Sequence, residues 1–220
     1  MKAKALIPVL ADRFGIDQDR AFMIDRSLAE EGLREKARGR RHPEMTRREA
    51  LAFLIAECAT SRPTTSGRDV KPWLDAAGLV NLEPQPASDA DGEEAEPSFA
   101  EKFIFHTVEP LLAPFKKPKS TWPEVNFVDY LLVICSVLQR GYFTGFTIKV
   151  TILHSHYSAE VEFENDNRIV KTEHFALKGD ENYSNLPDEL TGIHKASFFY
   201  GDALAEIVAR TADPLEGENV

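Results

Sequence analysis

Apolar positions recur every three to four residues through the first third of the chain. Later, from about residue 146, they recur every second residue. Ile7, Leu10, Ala11 and Phe14 fall on one helical face, with Pro8 suited to a first turn and Gly15 to a stop. Asp17 can cap a second helix whose inner face is Ala21, Ile24 and Leu28, closed by Gly32. The stretch from Leu33 to His42 has no apolar face. Thr46 and Glu49 then form a capping box, each satisfying a backbone donor left over at the other's end of the turn. It opens a helix with Leu51, Leu54, Ile55 and Cys58 on one side, and a last short helix runs from Ser66 through Trp73 and Leu74 toward Gly78.

Two further capping boxes, Ser98 with Glu101 and Thr121 with Glu124, open helices in the second half. The first is expected to stop before Pro110. The second is expected to run to Gly141 with Val128, Leu131, Leu132, Cys135 and Leu138 inward. Beyond it Phe146, Ile148, Val150 and Ile152 alternate with Thr147, Lys149 and Thr151, and Ala159, Val161 and Phe163 alternate with Glu160, Glu162 and Glu164. A turn at 165–167 leads to a third strand, Ile169–Phe175. Lys195–Tyr200 reads as another, and Leu204, Ile207 and Val208 mark a closing helix. This is an antiparallel meander with one apolar and one wet face.

Composition adds a boundary. Residues 83–97 hold three prolines, six acids and no aliphatic side chain larger than alanine, the signature of a self-repelling linker. The expected organisation is therefore α+β. An all-helical domain spans 1–82, an acidic linker 83–97, and helices packed on a meander 98–220, the last used for self-association or partner binding. The net charge of −10 excludes a general polyanion binder, but the sum hides a split. Residues 1–82 carry 15 Lys/Arg against 12 Asp/Glu, whereas 101–220 carry 11 against 18. The excess concentrates in Arg34, Lys36, Arg38, Arg40, Arg41, Arg47 and Arg48, set against only Glu35 and Glu44. Arginine suits phosphate because its planar fork makes paired, charge-assisted hydrogen bonds.

The stretch from Met23 to Leu33, with Arg26, Leu28, Gly32 and Leu33 in place, then Arg38 to Arg41, then Met45 and Thr46, resembles a winged helix-turn-helix of the kind found in phage and prophage regulators. The resemblance covers about residues 5–80. It implies a second helix that addresses a DNA groove and a basic wing that holds the backbone. Gln18, Arg20, Met23 and Ser27 would then reach base edges, and the seven basic residues above would hold phosphates. Protein docking by the helical domain, or a merely solvated basic face, are the alternatives.

Other chemistry is sparse. Cys58 and Cys135 lie on apolar helical faces, where a buried thiol is the ordinary reading. His154 and His156, followed by Glu160 and with His174 beyond, resemble the first metal motif of cupins, but the flanking glycines and the second motif are missing. Neither a phosphate-binding glycine loop nor a nucleophile elbow occurs. The longest apolar run, Leu131 to Leu138, is too short for a bilayer, and the first residues lack the apolar stretch of a leader. The expectation is a cytoplasmic, non-enzymatic, cofactor-free regulator that binds duplex DNA and forms a homodimer through 98–220. A phage assembly, packaging or adaptor protein is the second reading, and a small cupin-like metalloenzyme the third.

Overall fold

The computed structural model describes residues 1–36, 43–79, 87–88, 94–95, 99–112, 124–154, 157–166, 168–176 and 196–211. Helices α1 (Ala3–Phe14) and α2 (Gln18–Glu30) form the start of a helical region, joined by a turn in which Asp17 accepts from the Arg20 amide at 2.9 Å. Helix α1 begins at Ala3, so Pro8 lies inside it rather than in its first turn. The Leu28 and Ala29 carbonyls at the end of α2 accept from Leu33 and Gly32, and Gly32 supplies the left-handed residue (φ 75°) this closure needs. Helix α3 (Arg47–Ala59) starts at the expected capping box, with both reciprocal hydrogen bonds formed. The predicted last short helix is two separate turns, α4 (Ser66–Asp69) and α5 (Lys71–Leu74), followed by a short strand β1 (Ala77–Leu79).

Two-residue strands β2 (Ala87–Ser88) and β3 (Glu94–Ala95) pair with each other. Helix α6 (Phe99–Leu112) continues through Pro110 instead of stopping before it; proline in a last turn removes only one helical donor. Glu124 does not start a helix. It belongs to strand β4 (Glu124–Asn126), which pairs with β1, and Asn126 caps α7 (Phe127–Gln139) by accepting from the Val128 amide at 2.9 Å. Strands β5 (Phe146–Leu153), β6 (Ser158–Asn165), β7 (Arg168–Phe175) and β8 (Ala196–Tyr200) form one antiparallel sheet in the order β7-β6-β5-β8, and α8 (Gly201–Arg210) follows. The register sets Val150 opposite Val161 and Ile148 opposite Phe163. The predicted inward residues of these two strands thus share one face, all of them buried except the half-buried Phe146.

The expected division into two separately packed domains is not what the chain adopts. One contiguous core runs from Leu6, Ile24 and Leu51 through Leu131 and Ile134 to Val150, Val161 and Leu204. Helix α3 packs on α2 and α4 in the first half and also on α7, α8 and β5. Strand β1 lies between β4 and the end of β7, where Ala77 exchanges backbone hydrogen bonds with Ala176 at 2.9 and 3.0 Å. Gly78 is required there: a Cβ at this position would sit 2.1 Å from the His174 carbonyl oxygen. Arg48 pairs with Asp129 across the same junction, and Asn126 donates to the Leu74 carbonyl at 2.7 Å.

A protease site placed within 83–97 tests this shared core. Cleavage should yield two fragments that co-elute as one particle at micromolar concentration and part only in denaturant, because separation would bare the apolar flank of α3. Independent elution of the two pieces in native buffer would refute a common core.

Candidate nucleic-acid interface

The residues expected at a DNA surface separate into three groups. Gln18 and Lys36 are exposed, and Met23 is 40% exposed beside Phe22 at 42%. These positions face outward from α2 and its C-terminal extension. Arg38, Arg40 and Arg41 lie outside the described residues.

The third group is held by partners within the protein, most of it turned away from solvent, although Arg48 stays exposed. Arg47 is 0% exposed; its guanidinium donates to the Gln139 side chain at 2.7 Å and to Thr211 at 3.3 and 3.4 Å. Ser27 is buried, accepting from the Gly67 amide at 2.9 Å and donating to the Thr64 carbonyl at 3.2 Å. Arg20 binds both Glu57 carboxylate oxygens at 2.9 Å through Nε and donates to the carbonyls of Thr60 and Ser61. Arg34 pairs with Asp25 at 2.5 Å, largely out of solvent. Burial pushes the Asp25 carboxyl up, and the Arg34 charge and hydrogen bond oppose that. Arg48 is held by Asp129. A guanidinium whose terminal amino groups are already taken by side chains or carbonyls of the protein has less left to offer a phosphate.

Two basic residues escaped the sequence reading. Lys2 forms an antiparallel bridge with Glu44, and the Met45 amide donates to the Met1 carbonyl at 2.9 Å. Lys2 and Lys4 are exposed, with Lys2 bridged to Glu44 and Met1 bonded to Met45. The pairing spans more than forty positions, and no local pattern around Lys2 announces it. Residues 33–36 and 43–46 do not pair with each other among the described residues, so the wing hairpin has no counterpart there.

The histidines are dispersed. His154, just beyond β5, meets Ser197 Oγ at 3.0 Å and the edge of Trp73. His174 on β7 pairs through Nδ1 with Glu160 on β6 at 3.2 Å, and His156 lies outside the described residues. No group of three His, Cys, Asp or Glu side chains suited to a metal occurs among the described residues. Burial pushes the Cys58 thiol up to about 12, far from a reactive thiolate. No helix among the described residues is long and apolar enough to cross a membrane. No protein family, curated protein or solved structure matches this chain.

Two measurements follow from these pairs. Replacing Arg47 by Ala should lower the unfolding free energy in urea by about 3 kcal/mol, the range for stripping partners from buried polar groups. The salt dependence of any nucleic-acid binding should stay unchanged, and a changed slope would return Arg47 to the interface. The second concerns pH. The Glu160 hydrogen bond raises the His174 ring above its ordinary 6.5 and the same bond lowers Glu160 below 4.5. The histidine's share of stability is complete below 6.5 and lost as pH rises through its raised value. The carboxylate's share is complete above 4.5 and lost as pH falls through its lowered value. The urea midpoint of the wild type should therefore fall relative to His174→Gln as pH climbs past 6.5. Parallel profiles for the two proteins would show that the pair contributes nothing.

Proposed function

We propose that this protein is a non-enzymatic, cytoplasmic duplex-DNA-binding regulator related to the winged helix-turn-helix proteins. In this reading α1 and α2 make the helix pair, and the basic segment after α2 holds the DNA backbone. The observation that carries it is the bridge between Lys2 and Glu44, which brings the exposed Lys2 and Lys4 to the described chain that follows the arginine segment in sequence. Lys36 is exposed at the last described residue before that segment, and Lys2 is bridged to the chain just after it. Base contacts would come from Gln18 and Met23, the two expected α2 positions that remain accessible. The acidic excess of residues 101–220, 18 Asp/Glu against 11 Lys/Arg, would discourage non-specific adsorption of nucleic acid to the second half.

Self-association belongs to the same proposal. Phe198 and Tyr200 on β8 are 58% and 44% exposed, with ring centroids 5.6 Å apart, and they offer an apolar contact for a second copy. Docking onto another protein is the competing reading, favoured by the exposed apolar pair Phe22 and Met23 on α2.

Titrating a generic duplex over a series of salt concentrations tests the DNA reading. The combined change of Lys2, Lys4, Arg40 and Arg41 to Ala should flatten the slope of log K against log salt by about 0.9 for each phosphate no longer neutralised. A folded variant with the wild-type slope would remove these residues from the interface. Failure of the wild type to bind any duplex at low salt would leave the protein-docking reading.

A further inference from the structure

A cleft of about 390 Å³ opens where the end of α3, the α4–α5 turns and the β5–β6 connection meet, and it takes side chains from both halves of the chain. Trp73 forms its buried floor. Tyr157 meets Trp73 edge to face, with ring centroids 5.0 Å apart and planes at 66°, and His154 also meets Trp73 edge to face at 6.1 Å. Tyr157 reaches this place with a backbone φ of 48°, a left-handed conformation unusual for a bulky aromatic, and the residue remains 46% exposed. One face of that ring is therefore presented to solvent beside a closed aromatic floor.

The polar side of the cleft is equally ordered. Arg20 fastens the Thr60 and Ser61 carbonyls, which fixes the edge they form. Asp69 accepts from Thr65 Oγ1 at 2.5 Å and from Arg68 Nε at 3.0 Å, so both carboxylate oxygens are engaged. The Thr65 hydrogen bond, then that of Arg68 and the charges of Arg68 and Arg62, hold the Asp69 carboxyl below its ordinary range. Asp69 thus positions Arg68 by its Nε and leaves the two terminal amino groups outside that contact. Arg68 and Asp69 are the charged residues that line the cleft, and the charge of Arg62, outside the lining, also acts on Asp69. A volume in the range of ordinary ligand pockets (about 300–1,000 Å³) with an aromatic wall and a guanidinium at the rim fits a flat ring bearing one anionic group.

We propose that this cleft binds a mononucleotide, its base laid against Tyr157 above Trp73 and its phosphate gripped by Arg68. None of Lys2, Lys4 and Lys36 lines this cleft, and the proposal does not depend on the DNA-binding reading. A base carrying one phosphate can come from a free nucleotide or from the end of a strand, and two probes distinguish them.

Deoxyadenosine monophosphate and a short 5′-phosphorylated oligodeoxyadenosine are titrated into the full chain, with binding read by ligand-observed NMR. The monophosphate should bind about tenfold more tightly than either deoxyadenosine or inorganic phosphate alone, since each keeps only half of the contacts. Arg68→Gln and Tyr157→Asn should each weaken it by about tenfold with unchanged circular dichroism, because both side chains are exposed and Asn accepts a left-handed backbone. Binding of the free monophosphate at least as tight as that of the oligonucleotide assigns the cleft to a small molecule. Tighter binding of the oligonucleotide, abolished in the same two variants, assigns it to a strand end. No binding of either probe at millimolar concentration would overturn the proposal. So would binding that survives both variants, or inorganic phosphate binding as well as the monophosphate.

Discussion

A helix that is apolar on every side has to be covered on every side, and this chain contains two. Helix α3 buries Ala50, Leu51, Ala52, Phe53, Leu54, Ile55 and Ala56 in succession, and α7 buries an unbroken run from Tyr130 to Val137. Neither helix can be satisfied by its neighbours in sequence. Helix α3 takes α2 and α4 on one flank and α7, α8 and β5 on the other, while α7 lies among α3, α6, α8 and β4. The fusion of the two halves into one core follows from this. Buried Arg47 and the Arg48–Asp129 pair then fix the angle at which the halves meet. Apolar area drives the association, and the polar contacts choose one geometry for it.

Much of the local structure was legible in the sequence. The capping box at Thr46, the cap at Asp17, the stop at Gly32 and the alternation along β5 and β6 all appear where the pattern sets them. What failed was reading a helix by one face. Leu51, Leu54, Ile55 and Cys58 looked like a single stripe, although Ala50, Ala52, Phe53 and Ala56 fill the remaining sides. Counting those would have argued for a helix enclosed by two layers and against a boundary between two cores. Strands β1 and β4, three residues each, are too short to express a period of two. Their pairing was invisible, and with it the fact that Glu124 starts no helix.

The candidate site was less legible for an electrostatic reason. A local count of charge treats every arginine as available, but availability is decided by partners far along the chain. Arg20 finds Glu57, Arg48 finds Asp129, and Arg47 finds Gln139 and Thr211. These are separations of 37 to 164 positions. Only the exposed cations can exchange counterions with a polyanion, and their set includes Lys2 and Lys4, which a local count around the arginines leaves out.

The position of β1 bears on the order in which the molecule can be made. With Gly78 against the His174 carbonyl and Ala77 bonded to Ala176, this short strand is seated only after the sheet residues that flank it exist. The helices of the first third leave the ribosome well before α7. At typical synthesis rates, the stretch from Leu51 to Leu131 takes on the order of 10 s to emerge. During that interval α3 has an uncovered apolar flank. The nascent chain therefore passes through a sticky, half-assembled stage that ends only when α7, β5 and finally α8 cover that flank.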